Sequence, residues 1–441
     1  MQLSKLLASC RQARCLSTAA SADVVGEMIS FARDNFKTNQ EQAIDVLTSG
    51  LQYMSTGPDA GRLYLAQAEI EADRNRWREV ADLTRKAATA ASDAQTSSHT
   101  AAESLLISEV ELYAACIHAR CSLAQGRDAE AFRAAQLCME VARESFTADG
   151  AEDRRWQGLV MASSVAGMVQ HASAEYVSAG ESFAAVLSLA GHQDPRGGPP
   201  AERDHLVPEA LKQAAAFRLS EGSASEAQAL GKRAAAAAEQ AVSSAKGSTG
   251  KCVAGVLLSP LFTGEALADS YLVQAQACMA ATDWEAAEEA LSCALSAAEA
   301  VSGAVCPRVA LVLLLTAQTY SRTGRVTLAE GLYREAAKML QLKPGSEDAV
   351  ELQAVHTSVG ALLAWRYCQL LTAMPRRTTG KEAASWEKLG RALHEDAPIG
   401  GLGDTPEAVL GTLNALTGKG QAGRGVVLDM MCRRVLPCQH P

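Results

Sequence analysis

Phenylalanine, tryptophan and tyrosine together make up only 5% of this 441-residue chain, and β-branched runs of strand length are scarce. Both deficits argue against a large β-sheet, which draws on those side chains for its half-buried pleated surface. Basic clusters are missing too: the net charge is -9, and no basic run is longer than a pair such as Arg376-Arg377 or Arg433-Arg434. A nucleic-acid groove needs a basic stripe against the phosphates, so no nucleic-acid partner is expected. Long apolar runs are also lacking. The least charged stretch, Trp156 to Ala174, is diluted by Ser, Gly, Gln and His171, and Leu352 to Met374 carries His356 and Arg366. A membrane span needs about 20 predominantly apolar residues, so both read as buried helices. No transmembrane segment is expected, and peripheral membrane association stays open.

Catalytic signatures are absent as well. There is no G-x-x-x-x-G-K-[ST], H-E-x-x-H or G-x-S-x-G. Gly418 to Gly423 matches G-x-G-x-x-G, but it follows a helix in a Gly-rich tail rather than opening a βαβ unit. His394-Glu395-Asp396 stands just before Pro398, where charged residues serve as solvated helix caps. His171 on its apolar helix reads as a satisfied core residue. Twelve cysteines are scattered irregularly, mostly within apolar helical faces such as Cys116, Cys138, Cys278 and Cys293, as expected of small buried hydrophobes in a reducing compartment. Cys432, Cys438 and His440 lack the paired spacing of a closed zinc site. The expectation is therefore a chain with no catalytic residues, no metal and no cofactor.

What is present is alanine. An Ala- and Leu-rich composition favours helix throughout and suits helices that approach closely with interlocking small side chains. Residues 1–22 stand apart, containing Lys5, Arg11 and Arg14 but no acid before Asp23. Basic, Ser-containing and acid-poor, they have the character of a mitochondrial transit peptide, with Arg14-Cys15-Leu16-Ser17-Thr18 resembling a processing site. A plastid transit peptide shares this composition, and an uncleaved cytosolic N-terminus is the other alternative.

The rest of the chain repeats. Thr282-Asp283-Trp284 leads to Ala287, Leu291 and Ala294, and Gly324 leads to Ala329, Tyr333 and Ala336, with Ala317 and Tyr320 on the preceding helix. These copies resemble the turn and second helix of a tetratricopeptide repeat (TPR). Their 42-residue interval, with Pro307 opening the next helix, resembles the longer repeat of kinesin light chains over residues 266–343. Weaker copies follow the same logic upstream: Asn75-Arg76-Trp77 with Val80, Ala87 and Ala68, and Gly126 with Ala131, Cys138 and Ala119. Tyr176 follows with Ala179, Phe183 and Val186, then Gly222 with Ala227 and Ala234, and Ala43 and Leu47 start the array. The equivalent small residues fall at positions 43, 80, 131, 179, 227, 287 and 329, intervals of 37, 51, 48, 48, 60 and 42, against about 34 in the commonest form.

The resemblance implies an all-α fold, a right-handed α-solenoid of about seven TPR-like helical hairpins plus a C-terminal helical cap. Its expected organisation is repeats over 23–190, a Pro/Gly-rich loop at 191–207, the better repeats over 208–343, capping helices over 344–398, and a loose Gly-rich tail over 399–441 with a short helix from Pro406 to Leu416. The family implies a binding role: partners lie along the first helices of the repeats, whose exposed positions here would be Arg62, Glu69, Arg120, Met168, Lys212, Asp269, Gln276 and Gln318. The expected function is a non-catalytic mitochondrial scaffold that holds one or more proteins and assists assembly of a respiratory complex or the organellar ribosome. A cytosolic adaptor of kinesin-light-chain type is the first alternative, and an enzyme with a C-terminal active site the second.

Overall fold

The computed structural model describes residues 18–36, 39–95, 100–145, 152–191, 206–247, 260–345, 355–374, 380–396, 405 and 427–439. Among these, sixteen helices form consecutive hairpins. The first four hairpins are α1 (Thr18–Asn35) with α2 (Gln40–Tyr53), α3 (Gly57–Asp73) with α4 (Trp77–Gln95), α5 (Ala101–Ala124) with α6 (Asp128–Glu144), and α7 (Glu152–Ala172) with α8 (Tyr176–Gly191). The last four are α9 (Leu206–Ser220) with α10 (Ala224–Gly247), α11 (Pro260–Ala280) with α12 (Trp284–Ser302), α13 (Pro307–Arg322) with α14 (Val326–Met339), and α15 (Thr357–Thr372) with α16 (Gly380–Asp396). The final pair is the expected cap and the other seven are the expected repeats. The proposed cleavage region, the 191–207 loop beyond Gly191 and Leu206, the 406–416 helix and the Gly418–Gly423 motif lie outside the described residues, while α1 begins at Thr18.

Helices start where the sequence offers caps. Thr100 and Glu103 form a reciprocal capping box, Asp283 accepts from the Ala286 amide at 3.1 Å, and Pro307 occupies the first turn of α13, where no amide hydrogen is needed. Within six hairpins the turn is the same object. A residue in the left-handed region ends the first helix: Asn75, Gly126, Ala174, Gly222, Thr282 or Gly324, with φ between 60° and 84°. The next amide bonds back to the carbonyl five residues earlier, as from Arg76 to Glu71 and from Arg325 to Tyr320, both at 2.9 Å. The second helix starts one residue later. This is the Schellman motif, which satisfies the carbonyls a helix end leaves open. The irregular repeat length therefore arises in the helix lengths and in the connections between hairpins, not in the turns within them.

The small residues lie where the hairpins cross. Ala43, Val80, Ala131, Ala179, Ala227, Ala287 and Ala329 are all fully buried, as are the opposing Ala68, Ala119 and Ala317. First and second helices differ in how much they bury. α14 covers a single stripe, Ala329, Tyr333, Ala336 and Ala337, whereas α13 and α9 are buried around nearly their whole circumference. A helix covered on every side has neighbours on every side, so the first helices form an inner wall that is itself filled.

The array also closes on itself. Arg308 at the start of α13 pairs with Asp73 at the end of α3 and with Glu265 of α11, and Ser302 at the end of α12 donates to Asp73 at 2.8 Å. Val301 joins the apolar cluster of Val25, Met28, Leu47 and Leu63. The first two hairpins thus meet the sixth and seventh. Two expectations need correction here. Residues 427–439 are not a loose tail: they form a β-hairpin, with β1 (Val427–Asp429) antiparallel to β2 (Arg434–Leu436) and Val427 opposite Leu436, and Val427 to Cys438 are buried throughout. His394 is not a solvated cap but is buried, its ring 5.2 Å from that of Trp365.

Candidate binding groove and its C-terminal occupant

The β-hairpin lies along the inner wall, and side chains from six helical hairpins hold it. Gln276 of α11 accepts from the Leu428 amide at 2.7 Å and donates to the Leu428 carbonyl at 2.9 Å, meeting an extended residue as a neighbouring strand would. Two turns earlier on the same helix, Asp269 accepts from the Met430 amide at 3.0 Å. From α15, the Ser358 hydroxyl accepts from the Val435 amide at 3.1 Å, and the His356 amide donates to the Arg433 carbonyl at 2.9 Å. His171 of α7 stands 3.1 Å from the Pro437 carbonyl, and the Gln439 amide donates to Ser220 at the end of α9 at 3.0 Å. These contacts answer backbone groups that burial would otherwise leave unmatched.

At the centre Lys212 of α9, fully buried, sits 2.5 Å from Asp269 and 3.0 Å from Asp429 of the hairpin. Burial alone would lower the ammonium's pKa, but the two carboxylates outweigh it and hold it above its ordinary value. Burial drives the Asp269 carboxyl up to about 6, and the nearby Asp429 charge adds to that. Asp429 goes the other way. Burial opposes its charge, yet Lys212 and the amide and thiol of Cys432 hold it below the ordinary value. One cation shared by two buried carboxylates drives their titrations apart, Asp269 upward and Asp429 downward.

The turn of the hairpin carries the basic pair. Arg433, buried and pulled down to about 9 by burial and by Arg308, lies 4.7 Å over the Trp77 ring. It donates to the Asn75 side chain and, at 3.2 Å, to the Ala72 carbonyl. Arg434 forms a two-pronged pair with Asp128 of α6 at 2.6 and 3.0 Å. Asn75, Trp77 and Asp128 all belong to helical-hairpin turns or the residues just after them, so the repeat turn also positions this end of the site. Beneath Met431 and Arg433 is a cavity of about 50 Å³ lined by Glu69, Arg120, Glu265 and Arg308, roomy enough for water.

The residues expected to be exposed on the groove are mostly buried in it. Lys212, Asp269 and Gln276 touch the hairpin directly, and Glu69 and Arg120 line the cavity at its tip. Glu69 pairs with Arg33 at 3.2 Å and accepts from Tyr113, while Arg120 reaches across to Glu209 of α9. The remaining three have other company. Arg62 is buried against Asp59 at 3.1 Å, the Met168 sulfur lies 3.2 Å from the Gln213 amide nitrogen, and Gln318 is half-buried on α13. Missed as site residues were the hairpin's own Asp429, Arg433 and Arg434, and the Asn75, Trp77, Asp128, His171 and Ser358 side chains and His356 backbone amide that hold the hairpin. The signal was Val426-Val427-Leu428 and Val435-Leu436, two short β-branched apolar runs in an otherwise helical chain.

Among the described residues no cluster of His, Cys, Asp and Glu is arranged to hold a metal ion, and no helix is long and apolar enough to cross a membrane. The fold and the groove define a TPR-like helical-repeat array. No protein-family model matches the chain, and no curated protein matches it. Among solved structures it is similar to BtubC (BKLC) from P. vanneervenii, at 17% identity over 60% of this chain and 90% of that one, with a TM-score of 0.38. It is also similar to the apo form of RapI, at 9% identity over 81% and 82% of the two chains, with a TM-score of 0.45. A Rap protein complexed with competence and sporulation factor gives 13% identity over 77% and 82%, with a TM-score of 0.42. At these scores the fold assignment rests on the helical hairpins and their shared turns.

Proposed function

We propose that the protein is a non-catalytic interaction scaffold whose inner wall binds an extended segment of a partner protein. The observation that carries this reading is the way the wall meets backbone: Gln276, Asp269, Ser358 and His171 place polar side chains against main-chain atoms of a segment that is not part of the repeats. Main-chain contacts of this kind accept many sequences, and flanking ionic contacts select among them. With the acid-poor N-terminus as an address, the site of action we favour is the mitochondrion, and the role is to steady a multi-protein complex during its assembly.

The test is affinity purification of the tagged full-length chain from its own cells, with mass spectrometry of its partners and of its mature N-terminus. Cleavage near residues 14–20 together with enrichment of one organellar complex supports the scaffold and identifies its client. An intact N-terminus with cytosolic partners transfers the reading to an adaptor, the role suggested by the kinesin-light-chain-like repeat at 266–343. A chain that stays monomeric and alone in organelle extracts overturns both.

A further inference from the structure

Resting on the peptide-groove reading, we infer that the partner segment is a tight β-hairpin with a carboxylate before its turn and an arginine pair at the turn's end. Residues 427–439 are a tethered copy of that ligand, which the partner displaces. Every described helix already has its hairpin mate, and this segment enters the two main apolar clusters between the hairpins from outside the repeats. It stands to them as a guest. Its anchors are side chains and turn amides distributed over six of those hairpins, and each anchor selects a chemistry.

Lys212 has Asp269 as its neighbour within the array and takes a second carboxylate, Asp429, from the guest. Gln276 matches both the N–H and the C=O of one extended residue, Leu428, and so demands strand backbone rather than a particular side chain. Asp128 receives both prongs of Arg434, and Trp77 offers its ring face to Arg433 while Asn75 and the Ala72 carbonyl accept from it. A lysine can occupy neither place with the same contacts, because the fork and the stack both need a planar guanidinium. The ligand is thus specified as an apolar strand, an acid, a short turn, two arginines and a second apolar strand. A tether holds its own copy at an effective concentration on the order of millimolar, so a free segment must bind more tightly or arrive in excess.

The experiment uses the full chain with a protease site placed between residues 405 and 427, cut after folding, and a fluorescent synthetic peptide of residues 425–441 as probe. The cut chain is expected to keep its helical circular dichroism, exchange its own segment for the probe, and bind it one to one. Uncut chain should bind the probe about 100-fold more weakly, as the tether dictates. A probe with Asp429→Asn or Arg434→Lys should bind the cut chain at least about 10-fold more weakly than the native probe. Loss of helix on cutting, retention of the segment without exchange over a day, or equal binding of native and altered probes overturns the inference. Exchange with the expected selectivity but no cellular partner keeps residues 427–439 as an exchangeable occupant of the groove and overturns both displacement by a partner and the scaffold reading.

Discussion

The seams between helices and the inner wall are built on opposite principles. At the seams, alanine and glycine recur at equivalent places in hairpin after hairpin, with no charge to match and little room to spare. Along the wall, buried charged side chains change in identity from one hairpin to the next: Lys212, Asp269, Arg120, Glu209 and Arg308. The seam determines that helices stack; the wall determines how far the stack curls and what it encloses. One part repeats because its job is the same in each hairpin. The other is unique because each hairpin meets a different stretch of the enclosed segment.

The strongest way to break this contrast is at Lys212. Lys212→Ala leaves Asp269 and Asp429 facing each other without their cation, and removing one partner from a buried ionic cluster costs about 3–5 kcal/mol. A drop of that size in denaturant unfolding is expected, with Asp429→Asn in the same chain recovering part of it. At a seam, Gly390→Ala brings a Cβ to 2.7 Å from the buried Trp365 indole nitrogen, where a rigid ring cannot retreat. Overpacking there should cost about 1–3 kcal/mol, read as a lower melting temperature, while tail exchange stays unchanged.

Acid probes the wall through its two buried histidines. Burial lowers His171 to about 4 and His356 to about 3 from an ordinary value of 6.5, so the folded state excludes protons that the unfolded chain takes up. Their stabilisation is complete above pH 6.5 and is lost as pH falls through about 4 and 3. Asp269, raised to about 6 by burial, works in the opposite direction and offsets one of the two histidines. From these three groups the net loss near pH 5 is about one proton, or about 1.4 kcal/mol per pH unit. Urea melts between pH 7 and 5 check this; His171→Gln should flatten the slope. The smallest effect belongs to the repeating part. Thr282 is a β-branched residue at φ 60°, in a turn where the equivalent residue elsewhere is glycine three times over. Thr282→Gly should raise stability by about 1 kcal/mol, measurable as a small upward shift in melting temperature. No change would mean that the tertiary setting, not the turn, sets the strain.

The contrast also explains what could be read from the sequence. The hairpins were legible because close crossing demands small residues at fixed offsets, so Ala131, Ala227 and Ala329 could be located in one chain without alignment. The turns were legible at Gly126, Gly222 and Gly324, and less so at Ala174, where the left-handed residue is not of a type that signals it. Lys212, Asp269 and Gln276 were named from family geometry as exposed positions, and their burial was not foreseen. It depends on a segment more than 150 residues away along the chain, and periodicity reports only local faces. The hairpin itself was hidden by its Gly-rich surroundings, and Cys432, sought as a ligand, proves to donate from its thiol to Asp429 at 3.1 Å.

Open repeat arrays lengthen or shorten by duplication, since each unit asks only for a neighbour on either side. The clasp of Asp73, Ser302 and Arg308 removes that freedom. One more hairpin inserted between α3 and α13 would carry Arg308 beyond the reach of Asp73, and one fewer would drive Val301 out of its place against Met28 and Leu63. In its descendants this chain can vary loop length between hairpins, but the number of units is fixed by the circumference it has to complete.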